Sequence, residues 1–253
     1  MLAKKDTNSE YHSHPAVSSS TFKEIWKKSV YHAINKEWDS TASMDLGTAV
    51  HTMILEPEEF NDQIYVMPKI DRRTKEGKEE YQKVLLKSQG KVIITPEQMQ
   101  IVKKITHNAL GDDKVLDLLK GEREISHYSE IDGVQIKARP DVYNPETGMI
   151  ADIKTCQDNS PRAFRSDVKK FAYHLQAVFY CRVLGLDPLN WRFIAVETKH
   201  PYTCQVYALN DEQIDDGEIA FERVFKDWKF YLETGIAVGY NGYDTTPDGA
   251  IIL

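Results

Sequence analysis

The chain has 253 residues, 41% of them hydrophobic and 28% charged, with 10 prolines and 13 glycines, which supplies a packed core and argues against disorder over the whole length. Its net charge of -7 argues against a protein that coats DNA non-specifically through bulk positive charge. A metal-dependent enzyme stays open, because carboxylates that hold metal ions add negative charge where they stand. No run of 18 apolar residues occurs and the first residues lack the apolar segment of a signal peptide, so neither a transmembrane helix nor a secretory leader is expected. The cysteines, Cys156, Cys181 and Cys204, are scattered and form no CxxC pair. That spacing predicts a cytoplasmic, reducing setting without a zinc knuckle or a disulfide framework.

Residues 1–15 are polar and expected to be a flexible, frayed terminus, with a single domain over 16–253. Ser18, Ser19, Ser20 and Thr21 precede Phe22, Ile25 and Trp26, which predicts a capped helix to about Ala33. A polar loop over 35–43 leads to a second helix over 44–55, where Gly47 and Ala49 permit close packing. A short strand is expected over 64–67, then a basic-leaning loop over 69–78, a helix over 79–89, an extended piece over 92–94 and a helix over 96–110. Residues 124–131 read as a strand, with Asp132-Gly133 as a two-residue hairpin turn. In the return strand Val134, Ile136 and Ala138 face one way and Gln135, Lys137 and Arg139 the other. A turn over 144–148 leads to a third strand over 149–154. Ser160-Pro161 opens a long helix to about Leu184. Strands over 191–197 and 203–209, a helix over 211–234 closed by Gly235 and a turn-rich tail over 240–253 complete the chain. The order predicts an α/β (α+β) fold with a central mixed sheet flanked by helices.

The chemistry concentrates between Asp141 and Lys154. Residues i and i+2 of a strand share a face, so Asp152 and Lys154 point together, and the preceding turn brings Asp141 alongside. Two carboxylates and an ammonium in one small volume suit a divalent ion and the charge of a phosphoryl transition state. Ile153 is placed to lend a backbone carbonyl to such an ion. A DxK pair also occurs as a surface salt bridge, but here the neighbours Met149, Ile150, Ala151 and Ile153 are apolar, and a buried Asp–Lys pair marks a site. His51, one turn after Gly47, is either a metal neighbour or a packed core histidine. Gln176 and Tyr180, four apart, either serve the site or pack the helix. Glu124 and Glu130 share parity on the first central strand, with Glu124 preferred as a catalytic candidate.

Taken in order, GTAVH (47–51), RPDVY (139–143), DIKT (152–155) and QAVFY (176–180) resemble the PD-(D/E)xK nuclease superfamily with its restriction-endonuclease-like core. Within its RecB-like branch, the resemblance is to the RecE (exonuclease VIII) nuclease domain and related phage exonucleases, over roughly residues 15–240. It implies a metal site of His51, Asp141, Asp152 and the Ile153 carbonyl, with Mg²⁺ as the ion and Mn²⁺ tolerated by the imidazole. It implies Lys154 as the catalytic lysine, with Gln176 and Tyr180 as a QxxxY motif beside it. The implied activity is 5′-to-3′ digestion of linear double-stranded DNA. That digestion leaves 3′ overhangs for recombination with a RecT-like single-strand annealing protein. The implied assembly is a homo-oligomeric ring, a tetramer, or a trimer as in similar phage enzymes.

Arg72, Arg73, Lys75 and Lys78 are either a solvated loop or, since RecE-like proteins carry a similar stretch, a contact for DNA and its 5′-phosphate. Lys137, Arg139, Thr155, Phe164, Arg165, Lys169 and Lys170 are further candidates for the DNA track. Related nucleases with an iron–sulfur cluster need four cysteines, which this chain lacks. A structure-specific endonuclease and a DNA-binding protein without catalysis remain as alternatives. A two-carboxylate glycosidase is remote, because the adjacent lysine and histidine suit phosphodiester chemistry better.

Overall fold

A computed structural model describes residues 2–37, 41–240 and 246–252. The chain opens with β1 (Leu2–Lys4), α1 (Asn8–Ser13), β2 (Val17–Ser18), α2 (Ser19–Lys27), α3 (Val30–Ile34) and α4 (Ala42–Leu55). It continues through α5 (Phe60–Gln63), β3 (Ile64–Val66), α6 (Lys75–Ser88), β4 (Val92–Ile94), α7 (Pro96–Leu110) and α8 (Asp113–Leu118). The central strands are β5 (Glu122–Arg123), β6 (Ser126–Ile131), β7 (Val134–Ala138), β8 (Val142–Asn144) and β9 (Met149–Cys156). Then come α9 (Pro161–Lys170), α10 (Tyr173–Leu184), β10 (Trp191–Glu197), β11 (Cys204–Tyr207) and α11 (Asp211–Thr234).

The core sheet has the order β11-β10-β9-β8-β5. β9 and β10 run parallel, with Ile150 opposite Trp191 and Cys156 opposite Glu197, and the other pairs are antiparallel. The sheet is therefore mixed, and the helices α9 and α10 make the crossover that a parallel pair requires. Helices cover β9 on both faces, which is why its sequence lacks a clean polar alternation. Ala151 and Ile153 pack towards α4 and α7 with Val50, Ile54, Val102 and Ile105. Ile150 and Cys156 pack towards α9 and α10 with Phe164, Ala177, Cys181 and Trp191. Burial of each large side chain in these layers contributes about 1.5–3 kcal/mol.

A second sheet, β1-β6-β7-β2, grows from the same ribbon. Its β6–β7 hairpin turns at Asp132 and Gly133, both with positive φ (47° and 82°), as the sequence predicts for this dipeptide. Both arms of the hairpin then leave this sheet for the core sheet. One crosses at Glu124 and Ile125, the other at Arg139, Pro140 and Asp141. The expected strand over 124–131 therefore begins only at Ser126, and Glu124 sits at the bend with φ +53°. Its N–H donates to the Asp141 carbonyl at 3.3 Å, which ties the two crossings together.

Other expectations are revised. The helix over 161–184 is two helices broken at Phe171 and Ala172, where Ala172 takes φ +53° with a fully buried methyl. The helix over 18–33 breaks between Lys28 and Ser29, and the Ser29 hydroxyl caps the second piece by accepting from the His32 N–H. Residues 2–13 are not frayed: β1 pairs with β6, and α1 carries a reciprocal Thr7–Glu10 cap. The buried Lys137 ammonium pins this segment by donating to the Tyr11 and His14 carbonyls at 2.5 and 2.7 Å. The 69–78 loop ends early, because Thr74 caps α6 and puts Lys75 and Lys78 in its first turn. Gly77 is required there, since a Cβ would lie 1.9 Å from the Asp71 carbonyl oxygen. Parts of the 35–43 loop and of the 240–253 tail fall outside the described residues. Among the described residues no helix is long and apolar enough to cross a membrane, and Cys156, Cys181 and Cys204 are free thiols.

Candidate active site

The site lies where the core sheet opens. β8 pairs with β9 only from Met149 to Ala151, so the 152–156 half of β9 has no strand neighbour on that side among the described residues. Asp141 stands at the mouth of this opening, and its carboxylate accepts from the free Ile153 N–H at 2.6 Å. On the far side His51, from α4, brings Nδ1 to 3.3 Å from the same carboxylate. Gly47 sets that approach: its missing Cβ would stand 3.3 Å from Thr155 Oγ1, so α4 lies close against β9 one turn before the histidine.

Asp152 and Lys154 point together, as their spacing requires, towards α10. Lys154 Nζ lies 2.5 Å from Asp152 Oδ2 and 4.9 Å from the Tyr173 ring centroid. Gln176 Nε2 donates to Asp152 Oδ1 at 2.8 Å, and Lys23 Nζ donates to Gln176 Oε1 at 2.8 Å. Tyr180 packs edge-on against Trp191 and against the core cluster that holds Phe22 and Ile25 of α2. Lys23 and Tyr173 are site neighbours that the sequence reading missed. Lys23 had a signal: it lies four residues after Ser19 and three before Trp26, on the inward stripe of α2.

The electrostatics follow from burial. Enclosure pushes the Asp152 carboxyl upward, and Lys154 pulls it back. Burial drags at the Lys154 ammonium, but Asp152 and then Asp141 outweigh it and leave the lysine above its ordinary range. Glu124 is pushed up to about 8, first by burial and then by Asp141, with Arg139 opposing. Lys23 is held down to about 7, first by burial and then by Lys154.

Ligand atoms of His51, Glu124 and Asp141 lie within 4.8 Å of one another, all on half-buried side chains. Two carboxylates, one of them lifted first by burial and then by the other's charge, form with the imidazole a donor set that fits a divalent cation. The set differs from the one the resemblance implied. Glu124 joins it, at the bend and not on a strand, while Glu130 is exposed at the far end of the hairpin opposite Gln135. Asp152 stands next to this cluster, with Oδ2 facing Lys154 and Oδ1 accepting from Gln176.

Several expected DNA contacts are spoken for. Arg139 pairs with Glu124 at 3.1 Å, donates to Asn8 at 2.5 Å and lies over the Tyr11 ring. Lys137 is buried beneath the N-terminal segment and does not reach a DNA track. Phe164 is a core residue stacked on Tyr207. The Arg73 fork closes on Asp71 at 2.9 Å, and Arg72 lies over Tyr81. Arg165 and Lys169 line a shallow recess with Glu212 and Asp216, while Thr155 and Lys170 border a cleft beside the site.

A mixed sheet wrapped by helices, opened at a Pro-Asp and carrying an Asp-x-Lys strand, defines the PD-(D/E)xK class of nucleases. The chain belongs to the family described as "PDDEXK-like domain of unknown function (DUF3799)", whose model matches residues 18–235. No curated protein matches the chain significantly. Among solved structures, a candidate exonuclease of Eubacterium rectale shares the fold at a TM-score of 0.64 and 13% identity, over 94% of this chain and 90% of that one. A phage-related exonuclease of Haemophilus somnus 129PT aligns at 15% identity over 90% of this chain and 100% of that one, with a TM-score of 0.35 too low to carry an argument.

Proposed function

We propose that this protein is a divalent-metal-dependent exonuclease that digests linear duplex DNA from 5′ ends. The observation that carries the reading is the Asp141–Asp152–Lys154 constellation at the open edge of β9, with His51 and Glu124 facing it. His51, Glu124 and Asp141 would hold the cation, with Asp152 beside them. A Mg²⁺ or Mn²⁺ ion held by these residues would supply Lewis-acid activation of a scissile phosphate and of a water.

The protein's own groups do the rest. Lys154 is fixed between Asp152 and the Tyr173 ring, where its ammonium meets the negative charge that develops on a phosphoryl group under attack. Gln176 holds Asp152 in one orientation, and Lys23 holds Gln176. The phosphodiester backbone also needs local positive charge on a chain whose net charge is -7. Lys154 stands over Tyr173, and Lys27 and Lys170 over Phe171, on the same side of the sheet. Exposed Arg72, Lys75 and Lys78 are a second proposed DNA contact. The resemblance to RecE-like enzymes supports 3′ overhangs passed to a RecT-like annealing protein, and a ring-shaped homo-oligomer.

The test is digestion of three DNAs with Mg²⁺ or chelator: linear duplex with 5′-phosphate, linear duplex with 5′-hydroxyl, and closed circular duplex. Metal-dependent loss of the linear molecules, fastest with 5′-phosphate and absent on the circle, is expected. Cutting of the circle would make the protein an endonuclease, and no cutting of any substrate would leave a DNA-binding protein.

A further inference from the structure

At the break between α9 and α10, Phe171 stands out from the surface with 37% of its area exposed. Large apolar side chains at solvent are common, but this one has company. Lys27 Nζ lies 5.5 Å and Lys170 Nζ 5.1 Å from its ring centroid. Neither lysine takes part in an ion pair with another described residue, and each repels the other. On its inner side the ring stacks on Tyr173 at 5.5 Å and 30°, and Tyr173 in turn covers Lys154. A line of aromatic rings flanked by ammoniums thus runs from the catalytic lysine to solvent.

The backbone holds this arrangement at a cost. Ala172 adopts a left-handed conformation that costs a non-glycine residue energy. The resulting break ends α9 at Phe171 and leaves its ring at the surface while α10 sinks into the core. Beside the ring lies a cleft of about 410 Å³, bordered by Ser43, Thr155, Asp158, Lys170 and Phe171. It begins at the residue after Lys154 and has the size of an ordinary small-ligand site.

We infer that Phe171 is a stacking platform for a nucleobase of the substrate strand close to the scissile phosphate, with Lys27 and Lys170 holding the flanking phosphates. The inference rests on the nuclease reading above and specifies where that substrate lies. Base stacking on an aromatic ring beside cationic side chains tolerates any sequence, as an enzyme that consumes DNA progressively requires. Glu24 acts on Lys27 and Asp167 on Lys170 only at longer range, and a phosphate arriving at the ring gives each ammonium a direct ion-pair partner.

The experiment uses the full chain and a 5′-phosphorylated duplex that carries the fluorescent base 2-aminopurine at the first, second or third nucleotide of the digested strand. Ca²⁺ replaces Mg²⁺ for binding, and Mg²⁺ cleavage is measured in parallel. Wild type is expected to quench the fluorescence at one of these positions. F171A and F171L are expected to lose the quench and to bind about ten-fold more weakly, the loss of one base stack, while F171W restores both. F171L keeps the apolar contact with Tyr173, so its melting temperature is expected to be unchanged, and it carries the test if F171A lowers stability. Cleavage by wild type without a quench at any position, or an equal quench by F171A, would overturn the platform and leave the nuclease reading intact. Failure of wild type to cut or bind any DNA end would overturn both.

Discussion

Lys23 orients the side chain of Gln176. Its ammonium donates to Gln176 Oε1 at 2.8 Å, which leaves the amide nitrogen to donate to Asp152 at 2.8 Å. Without the lysine the amide is free to turn and offer its oxygen to a carboxylate. Lys23→Met is therefore expected to lower the rate of DNA cleavage by about ten- to a hundred-fold through loss of position at Asp152. Rates at saturating DNA check this, with the defect in kcat and DNA affinity within a few-fold of wild type.

The same lysine gives stability a pH dependence with a definite sign. Its folded-state pKa of about 7 lies below that of the unfolded chain, so between pH 7 and the ordinary lysine range the unfolded state binds more protons. Stability therefore carries the full penalty of the charged lysine below pH 7 and recovers as pH rises, by at most about 1.4 kcal/mol per pH unit. Lys23→Met removes this contribution. Denaturant melts of both proteins in chelator at pH 7 and 9 are expected to show the variant more stable at pH 7 and the gap narrowed at pH 9.

Gly47 is expected to be intolerant of bulk for a functional reason. A Cβ there meets Thr155 Oγ1 at 3.3 Å, so α4 would have to move from β9 and carry His51 with it. Alanine gains about 1 kcal/mol of helix propensity against that contact, whereas valine adds two methyls to it. Gly47→Val is expected to cost about a hundred-fold in cleavage, since small displacements of catalytic groups are expensive. Gly47→Ala should lose far less. Paired activity and melting measurements separate displacement of the site from unfolding.

The N-terminal segment contributes to stability. Tyr11 is buried, accepts from Lys137 through its carbonyl and lies under both the Lys137 ammonium and the Arg139 guanidinium. Tyr11→Ala is expected to destabilise the protein by about 3 kcal/mol, as for other buried aromatic residues cut back to alanine. Urea titration measures this. A frayed terminus would give no change.

The sequence displayed those parts of the fold whose signals are local. Ser160-Pro161 at a helix start, Gly235 at a helix end and Asp132-Gly133 in a hairpin each announce a boundary, and the structure has them there. The Asp152–Lys154 pair was legible because strand periodicity fixes it. What stayed hidden depends on distant segments. Nothing near Glu124 or Ala172 signals a left-handed turn, since neither is a glycine and tertiary packing imposes both. Lys137 and Arg139 read as candidates for the DNA track because the alternation of β7 does not reveal that α1 lies across them. Glu124 reached the cluster by a route the strand parity did not contain.

The most direct test of the central claim is digestion of linear 5′-phosphorylated duplex DNA by wild type and by Asp152→Asn, each with Mg²⁺ and with chelator. Asparagine keeps the shape of the side chain and removes the charge that fixes Lys154. Cleavage by wild type that chelation abolishes, a loss of at least about a thousand-fold in the variant, and DNA binding retained by both are expected. Cleavage by Asp152→Asn at the wild-type rate, or wild-type cleavage that survives chelation, would contradict that claim.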